Sequence, residues 1–114
     1  RWVVVPRGHI WKSFIPGGGT GRSFTNEYGY VGVSVVQDEL MMEGMNEKGL
    51  SAGLFYFPDY GKYEEYSETN YETNISDFQL VSYILGRCAT VDEVKAEIAR
   101  VHIHGFDPRS STVH

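Results

Sequence analysis

The chain has 114 residues, 41% hydrophobic and 22% charged, the balance of one soluble globular domain able to bury a core without disulfides. A net charge of −5, with Lys and Arg scattered along the chain, argues against a nucleic-acid surface, which needs clustered cations. No apolar run reaches the roughly 18 residues of a membrane helix, and the single cysteine, Cys88, leaves no intrachain disulfide.

Trp2 to Val5 is a β-branched run closed by Pro6 and reads as a strand. "IPGGGTGRS" follows. It lacks the spacing and Lys of a phosphate-binding loop, and no helix comes after it, so a flexible surface connection is expected. "YGYVGVSVVQ", residues 28–37, reads as a buried strand. Leu40 to Met45 and Leu50 to Phe57 then flank Asn46-Glu47-Lys48-Gly49 as an antiparallel hairpin, with Gly49 suited to a positive φ and Pro58 as the stop.

"DYGKYEEYSETNYETN", residues 59–74, is rich in tyrosine and carboxylate but lacks the ligand alternation and central glycine of a calcium loop. An exposed loop anchored by tyrosines is expected. Two helices come next. Phe78, Val81, Ile84, Leu85 and Cys88 share one face of the first, with Asn74 or Ser76 as its cap. The second opens on the capping box Thr90-Val91-Asp92-Glu93 and is expected to bury Val91, Val94, Ile98 and Val101. After "HIHGFDPRSS" the pattern is extended again.

Site chemistry alone yields no complete catalytic constellation. Cys88 lies on an apolar helix stripe with no adjacent His or Lys, the setting of an inert thiol. His102 and His104 share a strand face, as two metal ligands would, but no third ligand accompanies them. Ser110, Ser111 and Thr112 lack a nucleophile-elbow context, and Arg1 and Arg7 either bind an anion or stack on Trp2 and Trp11. The chain opens at Arg1 inside an apolar strand and stops on "SSTVH". Residues 1–114 are therefore expected to be a single partial domain of a longer chain, with cytoplasm, periplasm and secretion all open.

"GMNEKGLSAGLFYFP", residues 44–58, closely resembles the hairpin of the choloylglycine hydrolase family, which contains bile salt hydrolases and penicillin V acylases. "WVVVPRG", "NEYGYVGVS" and "LVSYILGRCATVDEVKAEI" resemble that family's early strand, its next strand and its paired helices. The resemblance implies an α+β fold, antiparallel strands plus a helix pair, forming part of a four-layer αββα N-terminal nucleophile hydrolase sandwich. It implies a small-molecule amide substrate, no cofactor, no metal, no membrane partner and a homo-oligomeric parent chain. The nucleophile would be an N-terminal cysteine using its own α-amino group as base. Arg1 is not that residue, so the nucleophile is expected outside this segment.

Counted from Gly49-Leu50, the family's oxyanion-hole position falls at Tyr56, where the penicillin V acylase branch carries Tyr and most bile salt hydrolases Asn. The family's substrate loop falls at Gln37 through Met42. Leu40, Met41 and Met42 there either form an apolar wall for the acyl group or serve as core residues of an edge strand. A non-catalytic module binding ligands or proteins through its Tyr-rich loop is the alternative function.

Overall fold

The computed structural model describes residues 1–14, 20–35, 40–55 and 74–104. The glycine run 15–19, most of the Tyr-rich stretch, Gln37, Tyr56 and the serines near the C-terminus lie outside them.

Four antiparallel strands form the main sheet: β1 (Trp2–Val5), β4 (Tyr30–Ser34), β5 (Met41–Asn46) and β6 (Ser51–Gly53), in the order β1-β4-β5-β6. β2 (Ile10–Phe14) and β3 (Thr20–Thr25) pair as a separate antiparallel ribbon, and β7 (Asn74–Ser76) pairs in parallel with β8 (His102–His104). α1 (Leu80–Arg87) packs against β5 and β6, and α2 (Val91–Ile98) follows it after a short connection.

Strand alternation divides the sheet. Val5, Tyr30, Met41 and Ala52 face α1, where Val81, Ile84, Leu85 and Cys88 complete the core. Trp11 stacks near Phe24, and Phe24 meets Tyr83 edge-on at 5.1 Å between centroids, which ties the β2–β3 ribbon to α1. α1 is buried from Val81 to Gly86, more completely than a single apolar stripe would require.

The strands Trp2–Val5 and Tyr30–Ser34 and the hairpin about Asn46–Gly49 lie where the sequence placed them. β5 has β4 on one side and β6 on the other, so it is an inner strand. The segment around the glycine run differs from a plain connection, because β2 and β3 flank it as paired strands. Neither expected residue caps α1 itself, although Ser76 holds the N-cap position of the 3-10 turn that leads into it, without a side-chain capping bond. Asn74 and Ser76 belong to β7, and a 3-10 turn at Asp77–Gln79 intervenes, with Asp77 Oδ1 accepting from Phe78 N at 2.8 Å.

α2 corrects the expectation of a buried stripe. Its capping box forms, with Thr90 Oγ1 accepting from Glu93 N at 3.2 Å and Glu93 Oε2 reaching back to Ala89 N at 2.6 Å. Yet Val91 is 61% and Ile98 42% exposed, and of the four expected residues Val101 alone is fully buried. Two helical turns offer little contact area, and here Val94 is the α2 residue that meets the core. Tyr83 Oη donates to Glu97 Oε2 at 2.8 Å, so Glu97 and Val94 lie toward α1 and the core while Val91 and Ile98 are exposed.

Candidate functional site

The face of the main sheet opposite α1 is open. Trp2 and Val4 from β1, Val31 and Val33 from β4, and Met45 from β5 alternate onto it, and Phe55 follows β6 onto the same side. Trp2 is 77%, Met45 51% and Phe55 75% exposed. These side chains line a groove of about 610 Å³, and a second hollow of about 330 Å³ continues it past Val4, Pro6 and Glu47. Isolated exposed hydrophobes are ordinary, but an apolar face that runs across β1, β4 and β5 to Phe55 marks an interface. Among the described residues, Glu43, paired across the strands with Val33 and Gly53, is the one ionisable side chain lining the larger groove.

The turn between β5 and β6 fastens this sheet to α1. Asn46 is buried, and its Nδ2 donates to Leu85 O at 3.0 Å and Cys88 O at 2.6 Å. Its Oδ1 accepts from Lys48 N and Leu50 N, both at 3.0 Å. One amide thus shapes the turn and satisfies carbonyls that the end of a helix leaves without intrahelical partners. Gly86 O, in the same helical turn, accepts from Glu27 N at 2.7 Å and Tyr28 N at 3.1 Å.

Glu47 works on the outer side of the turn. It forms a two-pronged ion pair with Arg7 and accepts from Gly29 N at 2.9 Å. The Arg7 guanidinium, then the Gly29 N–H, hold its carboxyl down at about 2. Arg7, which the sequence left between anion binding and aromatic stacking, belongs to this clasp. Lys48 Nζ lies 5.7 Å from the centroid of the Tyr28 ring, and Gly49 closes the turn at φ 86°. Each residue of Asn-Glu-Lys-Gly therefore has a structural task. The only sequence signal for these ties was a turn-forming Asn, since their partners lie 39 to 42 positions away for Asn46 and 40 for Glu47.

Leu40 and Met41 are buried in the core, and Met42 is half-buried with its carbonyl accepting from Leu54 N at 2.8 Å. The strand expected from Leu50 to Phe57 is shorter, β6 ending at Gly53, yet beyond it Leu54 still packs on the core side and Phe55 on the open side. Tyr56 and Gln37 fall outside the described residues. Cys88 is wholly buried, and that burial, reinforced by Glu97 and Glu93, pushes its thiol up to about 11. Burial also raises the phenol of Tyr30 to about 12, against the pull of Ser82, Asn26 and Trp11 around its hydroxyl. Among the described residues, no group of three or more His, Cys, Asp or Glu is placed to hold a metal, and no helix is long and apolar enough to cross a membrane.

A family model described as linear amide C–N hydrolases, choloylglycine hydrolase family, matches residues 2–110. The chain belongs to the choloylglycine hydrolase family. A bile salt hydrolase/transferase of Lactiplantibacillus plantarum is 31% identical over 84 residues, which is 72% of this chain and 25% of that protein. Among solved structures, penicillin V acylase from Agrobacterium tumefaciens matches 90% of this chain and 31% of its own, with a TM-score of 0.73 and 26% identity. A variant of conjugated bile acid hydrolase from Clostridium perfringens matches 90% of this chain and 30% of its own, with a TM-score of 0.67 and 27% identity. The chain thus spans a quarter to a third of the length of these choloylglycine hydrolase relatives. The structural neighbours are N-terminal nucleophile hydrolases, and antiparallel strands backed by α1, with α2 following it, are the α+β arrangement expected for part of that fold.

Proposed function

We propose that residues 1–114 form one partial domain of a linear amide hydrolase that cleaves conjugated bile salts or penicillin V. The observation that carries this reading is the family match running through residues 2–110. The bile salt hydrolase and penicillin V acylase relatives suggest the substrate classes.

The reaction proceeds through an acyl-enzyme. An N-terminal cysteine outside this segment passes its thiol proton to its own α-amino group, and the sulfur attacks the amide carbonyl. The sulfur–carbon bond forms, and hydrogen-bond donors hold the charge that develops on oxygen. Collapse breaks the carbon–nitrogen bond, and the amine leaves with the proton. Water then adds to the thioester, releasing the carboxylic acid and restoring the thiol.

In this scheme Tyr56 donates to the oxyanion. Gln37 and the half-buried Met42 meet the acyl group, and Leu40 and Met41 support that contact from the core. The test is amine release from a conjugated bile salt and from penicillin V by the full-length protein, with and without its first-residue cysteine. Release from neither substrate sinks the reading. Tyr56→Phe is expected to lower kcat by about 10- to 1000-fold, and Tyr56→Asn to shift preference toward bile salts. Unchanged rate and preference in both variants would leave Tyr56 a packing residue.

A further inference from the structure

The open face of the main sheet holds a chemical mismatch. Trp2, Val31, Val33, Met45 and Phe55 make it apolar, while Glu43 places a carboxylate in the middle of the groove they line. Glu43 stands opposite Val33 on one neighbouring strand and Gly53 on the other, and neither offers it a charge or a side-chain donor. The opposite face of the same sheet is already filled by α1. The solved relatives extend to more than three times the matched length, since this chain covers 31% and 30% of theirs. Most of a full-length protein of this fold therefore lies outside residues 1–114, and an apolar sheet face of this kind is stable in water only when a second layer packs on it.

A layer packed on this face takes Glu43 out of water. A carboxylate enclosed by Trp, Val and Met side chains loses its hydration, which is why enclosed charges are found paired. We infer that in the full-length protein the second layer covering this face comes from the chain's own remaining segments and carries an Arg or Lys that pairs with Glu43. The pair fixes the register of one layer on the other, a task that apolar contacts, being non-directional, perform poorly. This inference rests on the proposed hydrolase reading for the existence of that second layer.

The test is made on the full-length protein by urea unfolding, which is independent of whether either amide is hydrolysed. Glu43→Gln and Glu43→Leu are each expected to lower the folding constant by about 100-fold or more, because each leaves the opposing cation enclosed and unpaired. A Glu43→Gln protein as stable as the wild type, or a Glu43→Leu protein more stable than it, overturns the inference. Should the variants fail to fold, the wild-type crystal structure decides. An Arg or Lys nitrogen within about 4 Å of the Glu43 carboxylate supports the pair. A carboxylate facing solvent, or a second copy of the protein seated on this face, refutes it. Loss of amidase activity with the pair present would defeat the functional reading and leave this one standing.

Discussion

The side chain of Asn46, at the end of β5, is hydrogen-bonded to the backbone of Leu85 in the last turn of α1, Nδ2 to O at 3.0 Å. The same nitrogen reaches Cys88 O, and the amide oxygen holds the turn through Lys48 N and Leu50 N. Asn46→Ala in the full-length protein is expected to cost about 1–3 kcal/mol in urea unfolding, since it leaves buried carbonyls without donors. Asn46→Asp is expected to be at least as damaging, because a carboxylate would face two carbonyl oxygens. A neutral Asn46→Ala would mean that water replaces the amide.

The Arg7–Glu47 clasp makes a pH-dependent contribution. The folded-state carboxyl titrates at about 2 against an ordinary value of 4.5, so its stabilising effect is present above about 4.5 and is lost as pH falls toward 2. Both groups are solvent-exposed, and salt should weaken the effect. Unfolding midpoints between pH 5 and pH 2 are expected to fall less steeply in Arg7→Ala than in the wild type, and the difference should shrink at about 1 M salt. Parallel profiles would show that the pair contributes nothing.

Replacing a helix glycine with alanine normally stabilises by about 1 kcal/mol. Gly86→Ala is expected to do the opposite. A β-carbon there would collide with the side-chain oxygen of Asn26, which accepts from Trp11 Nε1 at 3.1 Å. Displacing Asn26 breaks that bond and loosens the β2–β3 ribbon, for a loss of about 1–3 kcal/mol. The sign of the change, read by thermal unfolding, decides the matter.

Cys88 is expected to resist alkylation in the folded protein. Its thiol is buried and raised to about 11, leaving little thiolate at pH 8. Iodoacetamide treatment followed by peptide mass mapping should leave Cys88 unmodified until urea is added. Rapid native modification would contradict the buried placement.

What the sequence made legible was local. The β-branched run Trp2–Val5 and the turn Asn46–Gly49 announce themselves within a few residues, and so does the capping box at Thr90. The β2–β3 ribbon hid because its strands lack alternation: Ile10 and Trp11 are adjacent in β2, and Phe24 is the one large apolar residue of β3. β7 hid because Asn-Ile-Ser is buried despite two polar residues. α2 misled because an amphipathic pattern states which face is apolar and not what is there to cover it. The fastening by Asn46 and Glu47 was silent for a further reason. A hydrogen bond between distant residues leaves no periodicity. Tyr56 came from family resemblance alone, whereas the open face could have been found from the apolar residues that alternate outward along β1 and β4.

The Asn46 tie also bears on the order of events in folding. The turn itself can form within microseconds, but its two bonds to α1 join residues 39 and 42 positions apart and must wait for the intervening chain to close. These two bonds are expected to form after the rate-limiting step, with a φ-value near zero for Asn46. Removing the Asn46 amide should then leave the refolding rate almost untouched while the native protein opens faster, so the hairpin acts as a latch on the assembled fold rather than as its seed.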